Sequence, residues 1–155
     1  MNWTNWLQQL IAAIGNWIRK CLTVYEPAVW NDNDGIEENN NCYNYACNIK
    51  NGTFAQPGTA TGHPYPRPID CDTGCGCRDC CHQVALVVAP GRGFNDYHWY
   101  RRDRDGKWSH KPGSTPATNL DSSGNPITDP RTADRGLYTV FCGCYCVCEG
   151  KVTIA

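Results

Sequence analysis

Nine of the twelve cysteines in this 155-residue chain stand in two short blocks, and sulfur at that density has defined chemistry open to it. The first block is Cys71, Cys75, Cys77, Cys80 and Cys81, with His82 directly after it. The second is Cys142, Cys144, Cys146 and Cys148, every other residue of a strand-like segment. Side chains alternate faces along a strand, so these four are predicted to share one face. Neighbours two apart on one strand do not easily bond to each other, so their partners must come from elsewhere, and the first block is the obvious supplier. One outcome is a ladder of disulfides stapling loop to strand, each contributing about 2–4 kcal/mol. Another is a thiolate cluster holding zinc or another thiophilic metal, with His82 as an optional nitrogen ligand. The third is a set of reduced cysteines that simply pack.

A different cysteine could act as a nucleophile. The run Asn-Asn-Cys42-Tyr-Asn-Tyr-Ala-Cys47 places Cys42 in the first turn of a predicted helix over Cys42 to Lys50. Unpaired N–H groups and the helix dipole at such a position lower a thiol's pKa. A histidine base is then needed, near in space and distant in sequence. His98, in Asp-Tyr-His-Trp-Tyr-Arg, lies on the second of two predicted adjacent strands.

A helix-borne cysteine followed by a strand-borne histidine resembles the papain-like hydrolases, and the small NlpC-type cell-wall peptidases most of all in size. The resemblance covers about residues 42–111, and the Asp-Cys-Ser-Gly motif usual around that nucleophile is missing. It implies cleavage of an amide bond in a peptide or cell-wall substrate, without a cofactor. Cys42 would attack, His98 would shuttle the proton, and Asn41 or Asn40 would assist the Cys42 N–H as oxyanion donor. Tyr43, Trp99 and Trp108 would line the substrate groove with Asn41. His82, in His-Gln-Val-Ala-Leu-Val-Val, also looks like the family's base histidine. It would lie on the order of 20 Å from His98 along the strand, so both could join one triad, with His98 as the orienting residue, only if the loop were much tighter or the strands slipped. Asn119, Ser109 and His110 are the candidates for a third member. The Cys-Gly-Cys and Cys-x-x-Cys-Cys spacings resemble metallothionein ligand runs.

These residues must be positioned by a small α+β scaffold. Trp3, Trp6, Leu7, Leu10, Ile11, Ile14, Trp17 and Ile18 recur at steps of three and four and predict an amphipathic helix over 4–20. The stripe is expected to pack on the domain. Its three tryptophans also suit a partner or a membrane surface, although the polar face lacks the basic residues of an interfacial helix. Residues 1–30 are therefore read as a helix and extension, and 31–155 as one cysteine-rich domain. Residues 31–41 are expected to be a polar linker or loop and 56–70, with four prolines, irregular. An antiparallel sheet is expected from 83–89, 97–102, 107–111, 137–148 and 151–155, with His98 opposite Val88. Residues 112–136 form a long loop, in which Asp121, Asp129 and Asp134 match no known calcium-loop spacing.

Composition narrows the partners. The formal charge is −1, and Arg101, Arg102 and Arg104 alternate with Asp103 and Asp105 as on a solvated hairpin, so nothing here recruits nucleic acid. No stretch is apolar for the roughly 20 residues that cross a bilayer. The cysteine content favours an extracellular or otherwise oxidising compartment, while residues 1–20 make a poor signal peptide. Beside the hydrolase stand two alternatives. One is a non-enzymatic, disulfide-stabilised binding or assembly module with an aromatic surface of Trp99, Trp108, Tyr97 and Tyr100. The other is a metal-binding or redox protein built on the two blocks.

Overall fold

The computed structural model describes residues 3–20, 23–31, 34–60, 62, 77, 80–91 and 96–155, with side chains through Ile14 in the first of these segments. Helix α1 (Trp3–Lys20) forms as its periodicity predicts, but its stripe stays exposed instead of packing on the domain. The chain then joins the body. Thr23 donates its hydroxyl to the Arg102 carbonyl at 2.8 Å and accepts the Arg104 N–H through its own carbonyl. Pro27 opens the short α2 (Pro27–Trp30), where its missing N–H costs nothing. Trp30, buried, meets Tyr45 edge to face with centroids 4.8 Å apart.

The polar segment expected as a linker or loop is instead folded in. It contains α3 (Ile36–Asn39), and Asn40 and Asn41 are both buried. The reason lies in the asparagine side chain, which offers a donor and an acceptor to nearby backbone. Asn40 donates to the Ile36 carbonyl and accepts from the Gly52 N–H. Helix α4 (Cys42–Cys47) follows and ends at Asn48, a left-handed C-cap, three residues before the expected stop.

Four antiparallel strands complete the domain: β1 (Cys81–Ala89), β2 (Asp96–Arg102), β3 (Trp108–His110) and β4 (Val140–Cys148), in the order β3-β2-β1-β4. The apolar run of β1 suits its central place, covered on both faces. On one face Val84, Leu86, Trp99, Tyr145 and Val147 pack against Cys42, Ala46 and Cys47 of α4. On the other, Ala85, Val87, Tyr100, Trp108 and Cys144 pack against Ile127, with Tyr138 alongside. The 112–139 loop thus acts as a second layer. Its order comes from short-range bonds: Asp121 accepts from the N–H groups of Ser123, Asn125 and Asp134.

Two expectations about the sheet are corrected. Residues 151–155 form no strand; Ile154 is buried beside α4, and its carbonyl accepts from Asn51. The four cysteines of β4 do not all share a face either. A bulge pairs Leu86 with Gly143 and Val87 with Phe141, leaving Cys142 between them unpaired. One extra residue reverses the alternation, so Cys142 packs with the α4 layer while Cys144 packs with the opposite one. Gly143, at φ 130°, supplies the backbone conformation the bulge requires.

Candidate functional site

Cys42 is the first residue of α4 and is 6% exposed. Backbone hydrogen bonds from Trp99, Cys42 and Tyr43 favour its thiolate, but burial outweighs them. Asn41 is the N-cap, and its Oδ1 accepts from the N–H groups of Tyr43 at 3.0 Å and Asn44 at 3.1 Å. Asn44 returns the bond by accepting the Asn41 N–H at 3.2 Å, which closes a capping box. Asn41 Nδ2 donates to the Ala55 carbonyl at 2.8 Å. Burial pushes the Cys42 thiol up to about 12. The shift is opposite in sign to the one the helix dipole predicts.

His98 lies opposite Val87, one residue from the expected register, because Ala89 pairs with Asp96 and not Tyr97. Its ring is buried among Tyr100, His110 and Tyr138. His110 Nε2 is 2.9 Å from the Leu120 carbonyl, which can only accept, so that nitrogen carries the proton. His110 Nδ1 is then the acceptor, and His98 Nε2, at 2.7 Å, must donate to it. The pair forms a directed chain of neutral imidazoles, and burial holds both below the usual histidine range. His110 is thus a partner of His98, as a triad's third member would be, but the chain ends at a backbone carbonyl and runs away from Cys42.

The strand alternation decides the rest. Trp99 and Leu86 face α4 and Cys42, while His98 and Val87, one residue on, face the loop layer. His82 does face α4, yet it donates Nε2–H to the Ala46 carbonyl at 2.6 Å, one turn beyond Cys42, and burial lowers it to about 4. The expected groove residues separate in the same way. Tyr43 and Trp99 meet at 5.7 Å, their rings tilted by 40°, on the α4 side, and Trp108 is buried on the other. Trp99, Tyr100 and Trp108 are core residues, so the aromatic surface expected of them with Tyr97 does not form. Among the described side chains, the exposed tryptophans are Trp3 and Trp6 of α1.

The cysteine blocks come together as the ladder reading requires. Cys77 is bonded to Cys146, and Cys81 to Cys148, its direct partner across β1 and β4. Cys80 and Cys144 are also in disulfides. These six sulfurs therefore hold no thiolate for a metal. Cys142 is free and half-buried, Cys42 and Cys47 are free and buried, and Cys71 and Cys75 lie outside the described residues. Among the described residues no group of three His, Cys, Asp or Glu side chains is placed to hold a metal ion.

The most elaborate polar site was not legible as a motif. Arg101, read as a solvated hairpin residue, is fully buried, and Asp103 nearly so. Arg101 Nη2 donates to Tyr45 Oη at 2.9 Å, and its Nη1 reaches Asn48 Oδ1 at 3.1 Å. Tyr45 Oη lies 2.7 Å from Ser109 Oγ, and Ser109 donates to Asp103, which closes the circuit through its 3.0 Å ion pair with Arg101. Because the Ser109 proton goes to Asp103, Tyr45 must be the donor to Ser109. Lys111 is likewise buried and donates to the carbonyls of Glu37, Asn40 and Gly113. Burial lowers its ammonium to about 8. Both cations bind chain segments to the sheet. Their only sequence signal was a charge beside aromatic strand residues.

Comparison with known proteins identifies the relatives of this scaffold. The chain is 47% identical, over 139 aligned residues, to insoluble matrix shell protein 1 of Ruditapes philippinarum, an alignment that takes in 81% of this chain and 90% of the relative. The chain belongs to that protein's family. The papain-like resemblance is thereby corrected: the relative is named as a shell matrix protein and not as a hydrolase, and Cys42 and His98 stand on opposite faces of the sheet. No family model matches the chain, and no solved structure matches it. What the shell matrix relative shares over nine-tenths of its length is thus a whole domain and not one short motif.

Proposed function

We propose that the chain is a structural component of an extracellular matrix: a non-enzymatic, disulfide-stapled module that assembles with other matrix components. The observation that carries this reading is the family relationship to insoluble matrix shell protein 1. The architecture supports it. Bonds from Cys77 and Cys81 to β4 tie residues nearly seventy positions apart, at separations of 69 and 67. Such bridges persist in oxidising surroundings, which fits an extracellular location. The groups that could have done chemistry are committed to the fold instead: Asn41 to its cap, His98 to His110, His82 to Ala46. The partners are other matrix components, not a peptide or cell-wall substrate.

The test is fractionation of the tissue that makes the chain, with successive extraction by buffer, denaturant, and denaturant with reductant. The reading predicts the chain in the extracellular matrix, released only once denaturant is present. Recovery from the cytosol, or complete extraction by plain buffer, overturns it.

A further inference from the structure

Helix α1 carries the largest apolar feature that the domain does not use. Trp3, Trp6, Leu7, Leu10, Ile11 and Ile14 are all exposed, Trp3 by 80% and Trp6 by 57%. Together these side chains present on the order of 800 Å² of surface, about what one partner contributes to a standard interface. A soluble monomer rarely leaves a continuous apolar patch of that size uncovered.

Three observations select the occupant. Trp3, Leu7, Leu10, Ile14 and Trp17 are spaced by alternating steps of four and three, the seam by which one helix interlocks with another. No charged residue occurs from Trp3 through Ile18, so two such helices laid together bury no charge and meet no repulsion along the seam. The first charges are Arg19 and Lys20, at one end only, and an antiparallel arrangement keeps the two basic ends apart and opposes the helix dipoles favourably. A lipid surface would call for basic residues along the polar face, whereas Thr4, Asn5, Gln8, Gln9 and Asn16 are neutral.

We propose that α1 pairs with α1 of a second copy of this chain, antiparallel and seam to seam. The pairing gives the matrix role its first assembly contact. It rests on that reading for its meaning in the matrix, and on the seam alone for its physics.

The test is sedimentation of the full chain from low to high micromolar concentration. The wild type should form dimers, and Leu7→Glu with Leu10→Glu should weaken association by at least about a hundredfold. The melting temperature of the domain should not move, since these side chains are exposed and outside its core. Asn5→Glu with Gln9→Glu adds the same charge to the opposite face and should leave the dimer intact. A wild type that stays monomeric overturns the pairing, and so does a seam variant that associates as tightly. Equal loss in both variants, or a monomer that floats with phosphatidylserine vesicles, overturns it as well. Each of these results leaves the fractionation test of the matrix role standing, so the two ideas fail separately.

Discussion

Cys42 and His98 project from opposite faces of one four-stranded sheet, with the backbone of β1 and β2 between them. Each has the chemical type a thiol hydrolase needs, and each has a partner that explains its place without catalysis. Cys42 fills the junction of α4 with Trp99, and His98 begins a hydrogen-bond chain through His110 to Leu120. A separation of this kind depends on parity along a strand, and a single register step would have reversed it.

The bridges Cys77–Cys146 and Cys81–Cys148 interleave along the chain, and this predicts a non-additive response to their removal. Either bridge alone closes a loop of nearly seventy residues. With one in place, the second closes only a small additional ring and should contribute about 2–3 kcal/mol. Cys81→Ser with Cys148→Ser, or Cys77→Ser with Cys146→Ser, should therefore cost about that much in denaturant unfolding. Measured in a Cys144→Ser background, so that no other bond from β4 closes the long loop, removing all four should cost more than the two losses added together. Simple additivity would show that the bridges act on independent parts of the chain.

Much of the scaffold was legible in the residues. The stripe of α1, the apolar run of β1, and the supply of partners for β4 from the first block all follow from local pattern. What was not legible depends on register or on long-range pairing. The bulge that sends Cys142 to the other face needs one extra residue on one strand, and only Gly143 hints at it. Arg101 and Asp103 look like a solvated hairpin because their neighbours Arg104 and Asp105 are one; burial of the first pair depends on Tyr45 and Ser109, far away in sequence. Asn40 and Asn41 look like linker because asparagine is common both in exposed turns and in buried caps.

The Arg101 circuit predicts a steep asymmetry between single and double substitutions. Arg101→Met leaves the Asp103 carboxylate buried without its countercharge and should destabilise the domain by about 3–5 kcal/mol. Adding Asp103→Asn removes the stranded charge and should recover part of that loss. Chemical denaturation of the three proteins measures the coupling. A double variant that is no more stable than Arg101→Met would show that the ion pair is not what the circuit protects.

Stability should fall in mild acid before the ordinary carboxylates titrate. Burial lowers His82 to about 4 and holds His98 and His110 below the usual range. A histidine that resists protonation only when folded penalises the native state once the unfolded chain binds protons, at about pH 6.5 and below. The domain should thus be most stable above about pH 6.5 and lose stability as the pH falls towards about 4. Asp103, raised by burial, works in the opposite sense. Melting temperatures from about pH 8 to pH 4.5 test this, and His82→Gln, which keeps a donor for Ala46, should flatten the slope. A melting temperature that holds or rises on acidification would show that these rings are not buried neutral.

Thiol labelling of the native protein, followed by peptide mapping without reduction, bears most directly on a module held by disulfides and free of a catalytic cysteine. The expected map links Cys77 to Cys146 and Cys81 to Cys148, with Cys42 protected until denaturant is added. Rapid labelling of Cys42 at neutral pH, or recovery of Cys146 and Cys148 as free or metal-bound thiols, would overturn it.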